Sequence, residues 1–505
     1  MTISDAMRVA KGSTYLVTQM FIASGVRVVA FAFIARILTQ TEMGIAVALT
    51  LTSTVAQVLS DLGFSRALSK YIAEYRGRKA DYSPFLSAGL LIKVITAIFL
   101  ALVFALAAPQ ISQLLLKSGD YAFLFRSLSI YVLFFCLNMT TRNLLLGLNR
   151  IREIATIDML LTLTEQISAV ALLMLGYGLT GLIVGWILGQ LVYLTMSVSI
   201  IVKGKHSRRH SIGEITPFLN TLVKISWPLF FVNIVVLIYS WFDRALLLAY
   251  IPLSEVAVYN VALRAFSQLY IIPEALSTTL LPYYSEQYGG NKRDNITIGV
   301  RTASRYVALL YLPLAVGLMA TANPAISLFA GSAYSRGDVT LAVLCLFGAI
   351  GGLSAAFGTL LLVYEMTPTS LLINLASVGT SIAASTVLLP FLGVTGMAIV
   401  KGVAMIISLA LTIFALRRRM PIRLDKEALW KSWTAATFMF LVVGVIEWIY
   451  LSQYLLPFYI FAGGVAYVAA LKMLKAVNEN DIQLIRNLTG KRLSPIVNVL
   501  EKILV

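Results

Sequence analysis

The chain has 505 residues, 59% of them apolar and only 12% charged, and carries a net charge of +17. Soluble domains run at about 45–50% apolar and 25% charged, so a globular protein is excluded. A nucleic-acid binder is excluded with it, because no folded polar surface is large enough to gather the lysines and arginines. Cys136 and Cys345 lie inside apolar runs and His206 and His210 share one basic loop, so neither a disulfide framework nor a metal site is indicated.

A bilayer pass takes about 20 apolar residues, and on that measure the sequence predicts an all-α polytopic membrane protein with fourteen passes. The first half gives runs near 12–36, 43–66, 84–107, 124–148, 154–175 and 179–202. The second gives runs near 224–248, 256–281, 304–322, 339–364, 368–390 and 394–416, and two more follow near 432–451 and 453–474. The first run is too long for the apolar core of a cleavable signal peptide. Beyond residue 476 the tail alternates charges with Ile482, Ile485 and Leu488 at helical spacing, which predicts an amphipathic helix on the membrane surface.

Lys and Arg collect in every second loop: Arg76 and Arg78, then Arg150 and Arg152, then Lys203 to Arg209, then Lys292 and Arg293, then Arg417 to Arg419. The intervening loops hold little beyond Lys117 and Arg336. Positive loops stay inside, so both termini are expected in the cytoplasm of a multi-pass cell-membrane protein. No loop is long enough to hold the acceptor site of a membrane glycosyltransferase or ligase. The outer carboxylates Glu42, Asp120, Glu255 and Asp338 are isolated, so no enzyme and no catalytic residue is expected.

Residues 254–294 are a worn copy of 41–81, displaced by 213 positions without a gap. Asp61 falls on Glu274, Tyr71 on Tyr284, Tyr75 on Tyr288, Gly77 on Gly290, Lys79 on Lys292 and Asp81 on Asp294. Spaced polar matches of this kind do not arise from shared hydrophobicity. Further on, Pro109 and Ser112 fall on Pro324 and Ser327, and GLTG at 178–181 falls on GVTG at 393–396. The chain is a tandem duplication. Each copy holds an even number of passes, so both insert the same way round. The expected organisation is an N-terminal lobe over 1–210, a C-terminal lobe over 211–425, two further passes over 426–475 and a cytoplasmic tail over 476–505.

An ionisable side chain at mid-span costs about 2.5–3.5 kcal/mol unless it reaches water or a partner. Arg36, Arg66, Asp243 and Arg244 lie near span ends, where pairing or snorkelling explains them. Arg27 and Arg264 sit about halfway along their spans, one per lobe, with no carboxylate in helical reach, and so point to a wet interior. Glu165 is equally deep, with two readings open: ion-pair partner of such an arginine, or ion-coupling carboxylate. Asp61 and Glu274 are equivalent across the repeat and share that ambiguity. Lys93 and Lys401 face the interior or snorkel. A cavity lined by guanidinium groups selects anions and suits phosphate oxygens, while Asn138, Arg142, Asn233 and Asn260 could serve sugar hydroxyls or join helices.

ARILTQTEMGIAVA at 35–48, SDLGFSRALSKYIAEYRGRK at 60–79 and SWFDRALLLAYIPLSEVAVYNVALRAF at 240–266 resemble the multidrug/oligosaccharidyl-lipid/polysaccharide exporter superfamily, within it the Wzx-type lipid-linked oligosaccharide flippases. The tail NENDIQLIRNL at 478–488 is similar to tails of the same family, and the stretch around Arg264 also resembles MurJ-type lipid II flippases, in which an Arg lines the central cavity. The resemblance implies two lobes alternating between inward- and outward-open states while a polyprenyl-diphosphate oligosaccharide crosses the bilayer. No cofactor and no nucleic acid are expected, and transport is driven by Na+, by H+ or by consumption of product outside; the expected partners are a lipid-linked oligosaccharide, membrane lipids and glycan-assembly enzymes, and the resemblance implies a monomer. An ion-coupled drug antiporter and a lipid II flippase are the alternatives.

Overall fold

The computed structural model describes residues 3–61, 64–78, 80–203, 211–478 and 481, and no strand occurs among them. The expected tail helix and the loop carrying His206 and His210 lie outside the described residues. In chain order the helices are α1 (Ile3–Ile37), α2 (Gln40–Asp61), α3 (Phe64–Gly77), α4 (Ser83–Leu106), α5 (Ala108–Leu116), α6 (Ala122–Gly147), α7 (Ile151–Met174), α8 (Gly178–Lys203) and α9 (Ile212–Tyr250). Then come α10 (Leu253–Ser267), α11 (Ile271–Gly289), α12 (Arg293–Tyr306), α13 (Leu312–Ala320), α14 (Ala322–Ala330), α15 (Asp338–Gly351), α16 (Ser354–Val363), α17 (Thr367–Arg417), α18 (Lys426–Ile449) and α19 (Leu456–Met473).

Several starts are written locally. Thr39 and Glu42 form a reciprocal cap before α2, the Thr39 amide donating to Glu42 Oε2 at 2.9 Å and the Glu42 amide to Thr39 Oγ1 at 3.3 Å. Ser211 and Glu214 repeat the arrangement before α9, and Asp425 caps α18 by accepting from the Ala428 amide at 3.0 Å. The breaks are equally legible. Pro273 has no amide to give the Leu269 carbonyl, and the run near 256–281 is interrupted by a 3-10 turn at Gln268–Tyr270. The run near 339–364 is interrupted between Gly351 and Ser354.

Twelve helices among the described residues are long and apolar enough to cross a membrane, against the fourteen expected. At 51 residues α17 is far longer than a bilayer requires, and Gly393, at φ 53°, ψ −134°, divides it into two limbs. Counted as two, it brings the number to thirteen; the interrupted α10–α11 run separates that count from fourteen. Gly393 is the repeat equivalent of Gly178, which also has positive φ, 52°. Both copies thus make the turn into their last span with a glycine in the left-handed region. The short helices α5 and α14 carry the matched Pro109 and Pro324. A π-turn at Val307–Tyr311 lies between the stretch matched at 213 and that matched at 215, and its one inserted residue accounts for half of the slip.

Contacts cluster into two units, residues 1–257 and 258–505. In the first, α7 packs on α1 and α8, α6 on α4 and α8, and α9 on α2, α3 and α4. Phe85, Leu86, Leu144, Leu145 and Tyr193 centre its core, with Tyr71 stacked on Phe85 at 4.8 Å. In the second, α11 packs on α16, α15 on α17 and α13 on α18, with α18 against α19. α9, the opening span of the second copy by sequence, belongs by packing to the first unit.

Candidate functional site

Five elements of the first unit converge around one carboxylate. Gly181, Gly185 and Gly189 recur every fourth residue along α8, and a Cβ on them would lie 2.9 Å from Leu172, 2.6 Å from the Ala169 backbone and 2.8 Å from Glu165 Cβ respectively. Such a stripe lets two backbones approach closely. It seats α8 flush on α7 and leaves Glu165 the space that a side chain at 189 would take. Arg27 of α1, exposed in its span, acts electrostatically on Glu165. Tyr131 of α6 also feels the Glu165 charge, and its hydroxyl accepts from Gln57 Nε2 of α2 at 3.3 Å. The Trp186 ring of α8 stands 6.1 Å from that of Tyr131. The site therefore carries one guanidinium, one carboxylate, an amide, a phenol and an indole, a set able to take an anionic group and the face of a sugar ring.

A second cluster lies where α2 ends. The Lys93 ammonium of α4, 1% exposed, donates to the Ser60 carbonyl at 2.5 Å and the Asp61 carbonyl at 2.9 Å, and stands 3.7 Å from Asp61 Oδ1. It satisfies the last carbonyls of α2 and adds a cation at the negative end of that helix. Asp61 Oδ2 accepts in turn from Asn233 Nδ2 of α9 at 3.3 Å. A chain of polar contacts thus joins α4, α2 and α9, and Asp61 is held in an ion pair.

The other sequence-selected residues are dispersed. Arg142 is bound by Asp158 of α7, Nη2 to Oδ2 at 3.1 Å. Asn138 donates to the Gln190 carbonyl and side chain of α8, both at 2.8 Å, while its own Oδ1 is buried without a partner. In the second unit Asn260 is buried on α10, Glu274 is exposed on α11, and Arg264 is exposed in the last turn of α10. The Arg264 carbonyl, facing the break, accepts from the Ser267 hydroxyl at 2.7 Å and Gln268 Nε2 at 3.3 Å. A mid-helix 3-10 turn of this kind often marks a hinge. Three of the loop carboxylates have local duties: besides the Glu42 cap, Asp120 accepts from Ser118 and Asp338 from Asn323.

Sequence reasoning missed Gln57, Tyr131, Trp186, Asp158 and Gln190. The one signal available was the glycine spacing in GLTGLIVGWILGQ, which marks a close helix contact and hence the neighbours of Glu165. No group of three or more His, Cys, Asp or Glu side chains that could hold a metal occurs among the described residues.

Residues 9–287 match the model of the polysaccharide biosynthesis protein family, and residues 228–387 match the MatE model. A protein of Haloferax volcanii described as a probable low-salt glycan biosynthesis flippase, Agl15, is 21% identical over 67% of this chain and 68% of its own length. The probable flippase AglR of the same organism is 24% identical over 56% of this chain, and the alignment spans 59% of it. Among solved structures, the lipid II flippase MurJ in an inward closed conformation superposes with a TM-score of 0.76 at 17% identity, covering 93% of this chain and 99% of that one.

Proposed function

The chain belongs to the polysaccharide biosynthesis protein family, and we propose that it carries a polyprenyl-diphosphate-linked oligosaccharide from the cytoplasmic to the outer leaflet by alternating access, as a monomer working beside glycan-assembly enzymes. The observation that carries the proposal is Arg27, an exposed arginine about halfway along an otherwise apolar span, with Arg264 exposed in the last turn of α10 in the second unit. A guanidinium at that depth needs water or an anion. A diphosphate supplies the anion, and an arginine holds it without losing charge as the surroundings change. No bond is made or broken in the proposed cycle.

The lobes that move are 1–210 and 211–425, and α9 is the element whose partners change, because it opens the second copy while packing on α2, α3 and α4 of the first. The Asp61–Asn233 hydrogen bond is broken and remade in each cycle. Glu165 is the coupling acid for Na+ or H+: it lies beside Arg27, so an anion that takes Arg27 leaves Glu165 without its counter-charge. Both termini lie in the cytoplasm. The MatE match over 228–387 supports a second reading, an ion-coupled exporter of cationic drugs.

The test is flipping of a short-chain prenyl-diphosphate oligosaccharide in proteoliposomes. Wild type transports it; Arg27→Ala and Arg264→Ala insert into the membrane but do not transport. Normal transport by both variants removes the arginines from the mechanism. Failure of wild type to move the lipid, together with uptake of a cationic dye, selects the antiporter reading instead.

A further inference from the structure

Several cations among the described residues are engaged: Lys93 by Asp61, Arg142 by Asp158, Arg244 by Asp243, Arg305 by Asp425 and Asp481. Arg418 and Arg419 differ. Both are exposed in the turn that ends α17, and among the described residues no carboxylate lies within ion-pair distance of either. A basic turn at this end of the bundle is by itself an ordinary topological signal. Here, however, it forms the mouth of a groove of about 440 Å³ between the two limbs of α17.

The groove walls are apolar, with Leu372 and Ala376 on the first limb and Leu411 and Phe414 on the second. Leu372 is 66% and Phe414 58% exposed, so the walls open outward rather than into the packed bundle. The Arg418 guanidinium lies 5.0 Å from the Phe414 ring centroid, joining the charged mouth to the apolar wall. Paired guanidiniums over an apolar trough are complementary to an amphiphile with an anionic head, its phosphate between the arginines and a chain along the wall.

The geometry points to a binding site for an anionic membrane phospholipid, its phosphate held by Arg418 and Arg419 and one acyl chain lying between the limbs of α17. The occupant is a bulk phospholipid rather than a scarce carrier lipid, because a groove open to the bilayer fills by mass action with the abundant anion. The site is independent of what the protein transports. Its consequence is structural: a lipid bound between the limbs braces the turn around Gly393 from the opposite end.

The experiment is a titration of the full-length protein in detergent with a fluorescently labelled phosphatidylglycerol. Wild type binds it saturably, and phosphatidylcholine and inorganic phosphate do not compete. Binding weakens at least about tenfold in Arg418→Ala/Arg419→Ala, where two charge-assisted contacts are lost. It weakens similarly in Leu372→Trp, which fills the groove without touching the arginines, and is unchanged in Arg417→Ala, which removes the same charge next to the site. Equal binding by wild type and the double variant, an equal loss in Arg417→Ala, or competition by phosphatidylcholine overturns the assignment. Competition by inorganic phosphate alone makes it a soluble-phosphate site. Displacement by undecaprenyl phosphate from a large excess of phosphatidylglycerol gives the groove to the carrier lipid, also against the proposal.

Discussion

In the first copy of the repeat, α2 runs unbroken from Gln40 to Asp61 and the Lys93 ammonium closes its end; in the second, the equivalent run breaks earlier, at Gln268–Tyr270, and Glu274 at the place of Asp61 is exposed. On the 213 shift Lys93 falls on Tyr306, which does something else. Its hydroxyl donates to Asp481 Oδ1 at 3.3 Å, beside Arg305, which holds the same carboxylate at 3.0 and 2.6 Å. The polar residue of the third span thus seals a helix end in one copy and holds Asp481 in the other. Duplication preserved the tyrosines but not their ring partners: Tyr71 and Tyr75 pack on Phe85 in the first copy, whereas in the second Ile298 stands at the place of Phe85 and Tyr288 packs on Tyr364. It let the charges diverge, since a charge is worth keeping only where its partner persists.

The largest effect is expected at the seal. Lys93→Met leaves Asp61 without its buried cation and should destabilise the protein by about 3–5 kcal/mol, read as thermal unfolding in detergent, with Lys93→Met/Asp61→Asn recovering a good part of the loss. A loss below about 1 kcal/mol would mean that Asp61 is held by Asn233 and water alone.

Next is the tail clip. Burial alone would raise the Asp481 carboxyl, but the hydrogen bonds from Arg305 and the Asn478 amide outweigh it and hold the carboxyl below its ordinary value of 3.8. A depressed carboxyl contributes stability above its unfolded pKa and loses it as pH falls through the folded one. The Arg305–Asp481 pair should therefore contribute equally to thermal stability at pH 7 and pH 5, whereas Asp481→Asn should unfold earlier at both. A lower melting temperature of wild type relative to Asp481→Asn at pH 5 would contradict the clip.

Pro273→Ala restores the missing amide and invites the second copy to close its helix as the first does. Hydrogen exchange at Gln268–Tyr270 should slow, and flipping should fall severalfold with insertion unchanged; unaltered transport would show that the break is not a hinge. The smallest effect belongs to Glu274→Gln, expected within about 0.5 kcal/mol of wild type because the side chain is exposed. A cost approaching that of Lys93→Met would erase the asymmetry between the copies.

Much of this fold is legible without coordinates, for identifiable reasons. Observed helices such as Ser83–Leu106, Ala122–Gly147 and Gly178–Lys203 lie within two residues of the expected runs, because a bilayer fixes the length of an apolar segment. Pro273 lies inside a run expected to be continuous near 256–281 and interrupts it, and the matched GLTG and GVTG mark the duplication without revealing that Gly178 and Gly393 take positive φ. The site was less legible. Arg27 and Glu165 stand out by depth alone, but their neighbourhood depends on α1, α2, α6, α7 and α8 meeting, and nothing in Gln57 or Tyr131 announces a partner 74 positions away.

What the sequence by itself determined, then, is the solvent this protein lives in, the duplication, and which side chains are too costly to be idle. Only the tertiary structure decided which costly charges are spent on ion pairs and which stay exposed. Asp61 and Arg142 are paired, while Arg27, Arg418 and Arg419 remain exposed. The physical reason is that insertion free energy depends on a residue's own depth and type, whereas a partner is set by helix packing between distant segments, where a turn of rotation replaces one neighbour with another.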